Sequence, residues 1–125
     1  MVIGIGLDIV ETARIERLVS RYGEQFVGKL MGKGEAAELP AAARERTLAL
    51  ALAVAGKEAA SKAIGTGWSQ GVRWRDVVVG FAPEPSIRLE GEAAAVARRL
   101  GSSGRTRTRL ELRGPLAVAE VWLLP

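Results

Sequence analysis

The longest apolar run of the chain lies between Leu48 and Gly67 and reads LALALAVAGKEAASKAIGTG. Its first half carries no charge, whereas its second half introduces two lysines and one glutamate. Alanine, leucine, lysine and glutamate favour helical structure, and a glycine just beyond the last apolar position commonly ends a helix. The pattern therefore predicts one long, mostly buried helix that ends at Gly65-Thr66-Gly67.

Two segments precede this helix. The run from Met1 to Val10, MVIGIGLDIV, predicts a buried strand whose glycines let a ligand or another backbone approach closely. From Thr12 to Met31, apolar and basic residues recur at helical spacing, which predicts an amphipathic helix. The apolar face of that helix comprises Ile15, Leu18, Val19, Tyr22 and Phe26.

Glycine and proline divide the rest of the chain into shorter segments. The expected elements are a short helix at Glu35 to Leu39, strands at Arg75 to Phe81 and Ser86 to Leu89, a helix at Glu92 to Leu100, and a terminal hairpin of Thr106 to Leu112 with Ala117 to Leu123. The fold class is therefore α+β, with the long central helix packed on a mostly antiparallel sheet. Residues 1–125 are expected to form a single domain.

The amino-acid composition restricts the kinds of catalysis and of metal site that the chain can provide. The 125 residues include no cysteine and no histidine, which excludes disulfides, thiol catalysis, imidazole acid–base chemistry and the usual zinc sites. A bound metal must then be held by carboxylates, carbonyls and water, which favours magnesium, calcium or manganese. The net charge of +4 favours an acidic or phosphate-rich partner. Nucleic acid is a weaker candidate, because aromatic residues make up only 5% of the chain.

The sequence shows no signal for a membrane or for export. No basic and then apolar leader precedes the first strand, and no apolar run approaches the length of a membrane span. We therefore expect a cytoplasmic protein without a membrane partner.

Asp8 is unusual because it interrupts an otherwise apolar strand. A buried aspartate without a partner costs several kcal/mol, so Asp8 requires a cation, a cluster of donors or exposure at the strand end. It could instead cap the following helix, although Thr12 is better placed for that role. Both interpretations remain open from this stretch alone.

Two groups of charged positions in the helices allow both a structural and a functional interpretation. Glu58 and Lys62 lie four positions apart and share a helix face, as in a surface ion pair, but the small apolar residues beside them favour a functional site. Arg14, Arg17 and Arg21 form a basic stripe, which is usually a solvated face. The alternative is a docking surface for an acidic helix of a partner.

The chain carries a G-x-D motif at Gly6 and a later K-E-A-x-x-K-A-x-G-T-G motif at Lys57 to Gly67. In this order and at this interval, the two motifs resemble the holo-acyl-carrier-protein synthases, the small 4′-phosphopantetheinyl transferases. The resemblance spans most of the chain and implies the fold of those transferases. It also implies that 4′-phosphopantetheine is transferred from coenzyme A to a serine of an acyl carrier protein.

The resemblance also assigns roles to individual residues. Asp8 and Glu58 would hold Mg²⁺, which also binds the diphosphate of coenzyme A, and Lys62 would reach the same phosphates. These three are the implied catalytic residues. Coenzyme A would be bound by Lys57, Ser61, Lys62, Gly65 and Thr66, and Lys57 would contact a phosphate or a carboxylate. The acidic helix of the acyl carrier protein would dock on Arg14, Arg17, Arg21 and Phe26.

Three motifs of the family are absent. Ala53-Val54 replaces Arg-Phe, Pro83-Glu84-Pro85 replaces a Gly-Lys-Pro turn, and Leu110 to Arg113 replaces a strand that contains Ser-His. Arg73, Arg75, Arg88 or Arg113 could replace the lost phosphate contacts. Two hypotheses follow: an active transferase, and a divergent relative that recognises a carrier protein but only binds, or acts on, a chain tethered to it. Whether the carrier serves fatty-acid or secondary-metabolite synthesis stays open.

Assembly is implied by the same resemblance. Larger relatives join two such halves in one chain, whereas the small ones resemble homotrimers with sites at the subunit boundaries. This chain has the length of one half, so we expect a closed homotrimer.

Overall fold

A computed structural model describes all residues from Met1 to Pro125. The strands are β1 (Gly4–Glu11), β2 (Val77–Gly80), β3 (Ser86–Leu89), β4 (Thr106–Arg113) and β5 (Leu116–Leu123). The helices are α1 (Thr12–Tyr22), α2 (Glu24–Leu30), α3 (Lys33–Ala37), α4 (Ala43–Ala63) and α5 (Gly91–Arg99), and a 3₁₀ turn spans Trp74–Asp76. None of the helices combines the length and the apolar character that crossing a bilayer requires.

The main sheet is antiparallel and has the strand order β1-β5-β4. Ala119 in β5 lies opposite Asp8 in β1 and opposite Leu110 in β4. β2 and β3 form a separate antiparallel pair. The hydroxyl of Thr106 donates a hydrogen bond of 2.9 Å to the carbonyl oxygen of Ile87 and so ties the two sheets together. The predicted α+β fold class is confirmed.

One face of the main sheet is covered by α4, which contacts both β1 and β5. Alanine occupies buried positions on both layers: Ala117 and Ala119 in β5, and Ala55 and Ala59 in α4, are all fully buried. Such small side chains let the helix lie close to the strands. The long central helix predicted from the sequence is confirmed, although it begins at Ala43 rather than Leu48 and ends before Gly65.

The segment from Thr12 to Met31 forms two helices rather than the single helix that its spacing predicts. The helices meet at Gly23, whose φ of 54° is incompatible with a continuous helix and is readily adopted only by glycine. The predicted apolar face is otherwise close to the structure, since Ile15 is buried and Phe26 is half-buried. Tyr22 departs from it, because it is largely exposed.

β1 is buried on one face only. Ile5, Leu7 and Ile9 point away from α4 and are 54%, 58% and 62% exposed. The prediction of a buried strand is therefore wrong for this face, because no other element of the chain covers it. We call these three residues the open stripe. Contiguous exposed apolar residues of this kind commonly mark an interface.

Candidate active site

Asp8 lies in the middle of β1, on the face that α4 covers. Because side chains alternate along a strand, Asp8 shares this face with Gly4 and Gly6. Its side chain is only 17% exposed. A carboxylate that is mostly removed from water requires a cation or several hydrogen-bond donors.

Gly4 and Gly6 bring β1 against the backbone of α4. A Cβ atom added at Gly6 would overlap the carbonyl oxygen of Ala59, and one added at Gly4 would overlap that of Ala63. Only glycine permits so close an approach. The predicted role of these glycines is confirmed, and the backbone that comes close belongs to the helix that carries Glu58 and Lys62.

Lys62 supplies the cation that Asp8 requires. Its Nζ atom lies 3.0 Å from Asp8 Oδ1 and donates a second hydrogen bond of 3.0 Å to the carbonyl oxygen of Leu7. The lysine side chain is 51% exposed, so this end of the site opens to solvent. Neither Asp8 nor Thr12 caps α1, since no side chain caps that helix and the Thr12 hydroxyl bonds to the carbonyl oxygen of Pro115.

Glu58 stands one helical turn before Lys62 and lines a cavity of about 220 Å³. The cavity lies between α1, α2, α4 and the 3₁₀ turn, and its walls include Arg14, Phe26 and Trp74. Glu58 is half-buried, and only its backbone carbonyl takes part in a hydrogen bond with a side chain, the hydroxyl of Ser61. The carboxylate is therefore free to bind an incoming group.

The donor atoms of Asp8 and Glu58 are of the kind that a magnesium ion would need, and a joint metal site stays a prediction. Both offer carboxylate oxygens, which are the hard ligands that Mg²⁺ prefers. No three or more acidic, histidine or cysteine side chains converge in the structure, so water and substrate phosphates would supply the other ligands, as is common for Mg²⁺. The ammonium group of Lys62 already sits as a cation on Asp8, which indicates that this position accepts positive charge.

Lys57 lies outside the site, although the resemblance implied a contact with coenzyme A. Its side chain is fully buried, and Nζ donates to Glu35 Oε1 at 2.9 Å, to the carbonyl oxygen of Trp74 at 3.1 Å and to the carbonyl oxygen of Val77. Glu35 Oε2 in turn accepts the N–H of Val79 at 2.7 Å. The predicted phosphate contact is wrong for this position, because all three ammonium protons are used to join α3, α4 and β2.

Burial also perturbs the Lys57 ammonium. Removal from water lowers its pKa below the usual value of 10.5, and the Glu35 carboxylate opposes that shift. The attraction between the Lys57 ammonium group and the Glu35 carboxylate therefore offsets the free-energy cost of removing both charges from water.

Three further predicted coenzyme A contacts lie at the C-terminal end of α4. Ser61 is buried and its hydroxyl donates to the carbonyl oxygen of Glu58 at 2.7 Å, so a ligand contact from this side chain does not fit its position. Gly65 is exposed with a φ of 81°, and the Thr66 hydroxyl bonds to the carbonyl oxygen of Gly67 at 2.8 Å. Contacts from Gly65 and Thr66 stay a prediction.

The predicted partner-binding residues divide into two groups. Arg14 and Phe26 line the same cavity as Glu58. Arg17 and Arg21 are exposed on the adjacent solvent side of α1. The basic helix thus extends from the mouth of the cavity along the protein surface.

Two residues of the cavity wall are not among those predicted from the sequence. Lys29 reaches the cavity from α2, and its direction depends on the break at Gly23. Trp74 stacks on Trp68 with ring centroids 4.0 Å apart and 22° between the planes. The two tryptophans and the glycines between them predict a loop, but not that Trp74 lines the same cavity as Glu58.

The four arginines considered as replacement phosphate contacts are already engaged. Their partners are Asp76 for Arg73, Glu90 for Arg88, Glu111 for Arg113 and the carbonyl oxygen of Gly28 for Arg75. The hydrogen bond with Asp76 raises the pKa of Arg73, and the hydrogen bond with Arg113 lowers the pKa of the Glu111 carboxyl. A phosphate contact from any of these arginines would use its remaining N–H donors or replace its present partner, and it stays a prediction.

Comparison with known proteins agrees with this geometry. A family model for the 4′-phosphopantetheinyl transferase superfamily matches residues 4–116. The chain is 42% identical over 106 residues to the holo-[acyl-carrier-protein] synthase of Alkalilimnicola ehrlichii, with 83% of each chain covered. The structure of the Neisseria meningitidis synthase is similar over 100% of both chains, with a TM-score of 0.87 and 30% identity. The Helicobacter pylori synthase in complex with coenzyme A gives a TM-score of 0.79 at 26% identity, over 95% of this chain and 98% of that one.

Proposed function

Since the chain belongs to the holo-acyl-carrier-protein synthases of the 4′-phosphopantetheinyl transferase superfamily, we propose that it moves 4′-phosphopantetheine from coenzyme A to a serine of an acyl carrier protein with the help of Mg²⁺. The observation that carries this proposal is the arrangement at the end of α4. There Lys62 contacts Asp8, and Glu58 lies one turn away in an open cavity. Val54, which replaces a family aromatic, lines this cavity without closing it.

The chemistry follows from the residues at this point. The reaction breaks the bond between the pantetheine phosphoryl group and 3′,5′-ADP and forms a bond to the serine oxygen. Mg²⁺ bound by Asp8 and Glu58 would supply positive charge at the diphosphate of coenzyme A. Lys62 would donate to phosphate oxygens and offset their negative charge. Because the chain contains no histidine, another group, such as a carboxylate, a water molecule or a phosphate oxygen of the substrate, would accept the serine proton.

The direct test is intact-mass spectrometry of an apo acyl carrier protein incubated with this protein, coenzyme A and Mg²⁺. The carrier is expected to gain the mass of one phosphopantetheine group. Unchanged mass across several carrier proteins would contradict the proposed function.

The carrier protein would dock on α1 and α2. Arg14 and Lys29 at the cavity mouth, followed by Arg17 and Arg21, provide charges complementary to an acidic helix. The apolar side chain of Phe26 provides a surface for burial between them. A helix placed here would present its serine towards Glu58.

Reversing the charge of Arg14 is expected to raise KM for the carrier protein about tenfold, because a like charge then faces the acidic helix. The KM for coenzyme A should change little, since the contacts proposed for coenzyme A are on α4. Steady-state kinetics of Arg14→Glu with each substrate varied in turn checks this expectation. Arg99→Glu, a charge reversal at an exposed position of α5, is the matched control. A rise in KM for coenzyme A alone would contradict the proposed docking surface.

The open stripe would be covered by other copies of this chain in a homotrimer. Ile5 lies opposite Trp122, and Ile9 lies opposite Val118, so the apolar surface extends from β1 onto β5 on either side of Glu120, which lies opposite Leu7. Charged residues of β4, such as Arg107 and Arg109, border it on the far side. Exposed apolar side chains next to charged ones are common at subunit interfaces, and Arg109, which lies opposite Glu120, can offset the charge of that carboxylate. The resemblance to small trimeric transferases favours three copies.

Leu7→Glu is expected to convert the homotrimer into single chains, because it would place a second carboxylate directly opposite Glu120 in the interface. Sedimentation velocity gives the mass of both proteins directly. Leu100→Glu, at an exposed leucine of α5, should keep the wild-type mass. A wild-type protein that sediments as a single chain would contradict the assembly.

The alternative of a relative that only binds a loaded carrier gains no support from a specific observation. The contact between Asp8 and Lys62 and the place of Glu58 in an open cavity support transfer instead.

A further inference from the structure

Lys62 holds the carboxylate that a metal ion would need. Two of its ammonium protons point at β1, one at Asp8 Oδ1 and one at the carbonyl oxygen of Leu7, both at 3.0 Å. The lysine therefore occupies the Asp8 end of the proposed metal site with a charge of its own. Glu58, although four residues earlier on the same helix, has no ion pair with it.

A second cation at Asp8 competes with this ammonium group. Like charges repel strongly at distances of a few ångströms, particularly beside a carboxylate that is mostly removed from water. A cation that needs Asp8 therefore binds only the fraction of molecules in which Lys62 has moved away. If Lys62 holds Asp8 for nine-tenths of the time, the apparent affinity falls about tenfold.

The contact is nevertheless weak enough to be exchanged. Half of the lysine side chain is in contact with solvent, and ion pairs of this kind contribute little stability. Lys62 stands in the last turn of α4, where the helix dipole favours a cation whether or not Asp8 is bound. A ligand that offers phosphate oxygens can therefore draw the ammonium group from Asp8 without breaking the fold.

We propose that Lys62 is a placeholder for the metal: it occupies Asp8 in the free protein and releases this carboxylate when a diphosphate gives it another acceptor. The proposal rests on the proposed function, because the diphosphate is that of coenzyme A. It adds that the free protein binds divalent cations weakly and that metal and coenzyme A favour each other's binding. Such coupling is reciprocal by linkage.

The test uses Mn²⁺ alone as the probe, without coenzyme A. Electron paramagnetic resonance measures free Mn²⁺, so its loss on titration with protein gives the dissociation constant. Lys62→Met is expected to bind Mn²⁺ about tenfold more tightly than the wild-type protein, because the competitor is removed while the length of the side chain is kept. Lys62→Arg, which retains a cation, should bind as weakly as the wild-type protein.

Two controls separate competition at Asp8 from a general effect of charge. Lys33→Met removes one positive charge at an exposed position of α3 and should leave the affinity unchanged. Asp8→Asn in the Lys62→Met background should abolish the gain. Circular dichroism establishes that each variant is folded, and Lys62→Gln provides a second neutral variant if Lys62→Met is not.

Equal Mn²⁺ affinities in the wild-type protein and the neutral variant would overturn the proposal, as would a gain that survives Asp8→Asn. A neutral variant that shows no binding at millimolar Mn²⁺ would also overturn it. These results differ from failure of the proposed function, which is seen as an unmodified carrier protein in the mass assay. A wild-type protein that modifies the carrier but has the same Mn²⁺ affinity as Lys62→Met contradicts only the placeholder.

Discussion

Replacing Glu58 with alanine is expected to reduce phosphopantetheine transfer about a thousandfold or more. Only two carboxylates, Asp8 and Glu58, are available at the site, and no third acidic side chain joins them. Loss of one would leave the proposed Mg²⁺ with a single protein ligand and reduce the positive charge held at the diphosphate. Loss of a single electrostatic contact with the reacting group can cost about a hundred- to thousandfold in rate, and loss of a metal ion costs more.

The measurement is the rate at which an apo carrier protein gains mass in the presence of coenzyme A and Mg²⁺. Glu45→Ala removes a carboxylate from the first turn of the same helix and serves as the matched control. Both variants should unfold at nearly the wild-type temperature, because the Glu58 carboxylate makes no ion pair or hydrogen bond within the fold. A rate for Glu58→Ala within about tenfold of the wild-type rate would contradict the metal role of this residue.

Lys57→Met is expected to lower the free energy of unfolding by about 3–5 kcal/mol, which is the usual cost of removing one partner from a buried ion pair. The substitution would leave Glu35 with a buried charge and would remove the donor shared by the carbonyl oxygens of Trp74 and Val77. Water cannot easily reach Glu35 to replace the lost ammonium group, because the Lys57 side chain has no exposed surface.

Urea unfolding of wild-type and variant proteins measures the difference. Lys33→Met, at an exposed position, should change stability by less than about 0.5 kcal/mol. Adding Glu35→Leu to Lys57→Met removes the isolated charge and should restore part of the loss, although the N–H of Val79 then lacks its acceptor. A loss for Lys57→Met smaller than about 1 kcal/mol would show that the pair contributes little to the fold.

Lys57 also shows where reasoning from the sequence reached its limit. Its place beside Glu58 in a family motif suggested a ligand contact. Neighbouring residues on a helix point about 100° apart, so Lys57 turns to the interior when Glu58 faces the cavity. Ser61, four residues after Lys57 and therefore on the same side of the helix, is buried as well. Its partner Glu35 lies 22 residues earlier in a separate helix, and no periodicity connects the two.

Asp8 and Lys62 were predicted with more success, for different reasons. An aspartate in an apolar strand requires compensation, and this physical requirement by itself made a cation one of the expected partners. The identity of that cation was not available from spacing, because Asp8 and Lys62 are 54 positions apart. Their joint assignment depended on the resemblance to a family, and the structure adds that they contact each other directly.

The exposed side of β1 could not be predicted from one chain. A continuous apolar run is typical of a strand buried on both faces, and MVIGIGLDIV fits that pattern. The pattern indicates that both faces of the strand are buried, but it does not show whether the residues that bury them belong to the same chain or to another one. α4 covers one face, and Ile5, Leu7 and Ile9 on the other are left for an assembly to cover.

The contact of Gly4 and Gly6 with α4 restricts how this enzyme can diverge. In most layered domains, side chains keep the backbones apart and can be exchanged for others of similar volume. At these two positions every other L-amino acid brings a Cβ atom into a carbonyl oxygen of the helix. Mutation can therefore alter the charges carried by β1 and α4 much more freely than the separation between them. Substitutions of surrounding side chains can therefore change the substrate preference of related enzymes. The distance between the backbones of β1 and α4, which sets how far Asp8 lies from the helix, should stay the same.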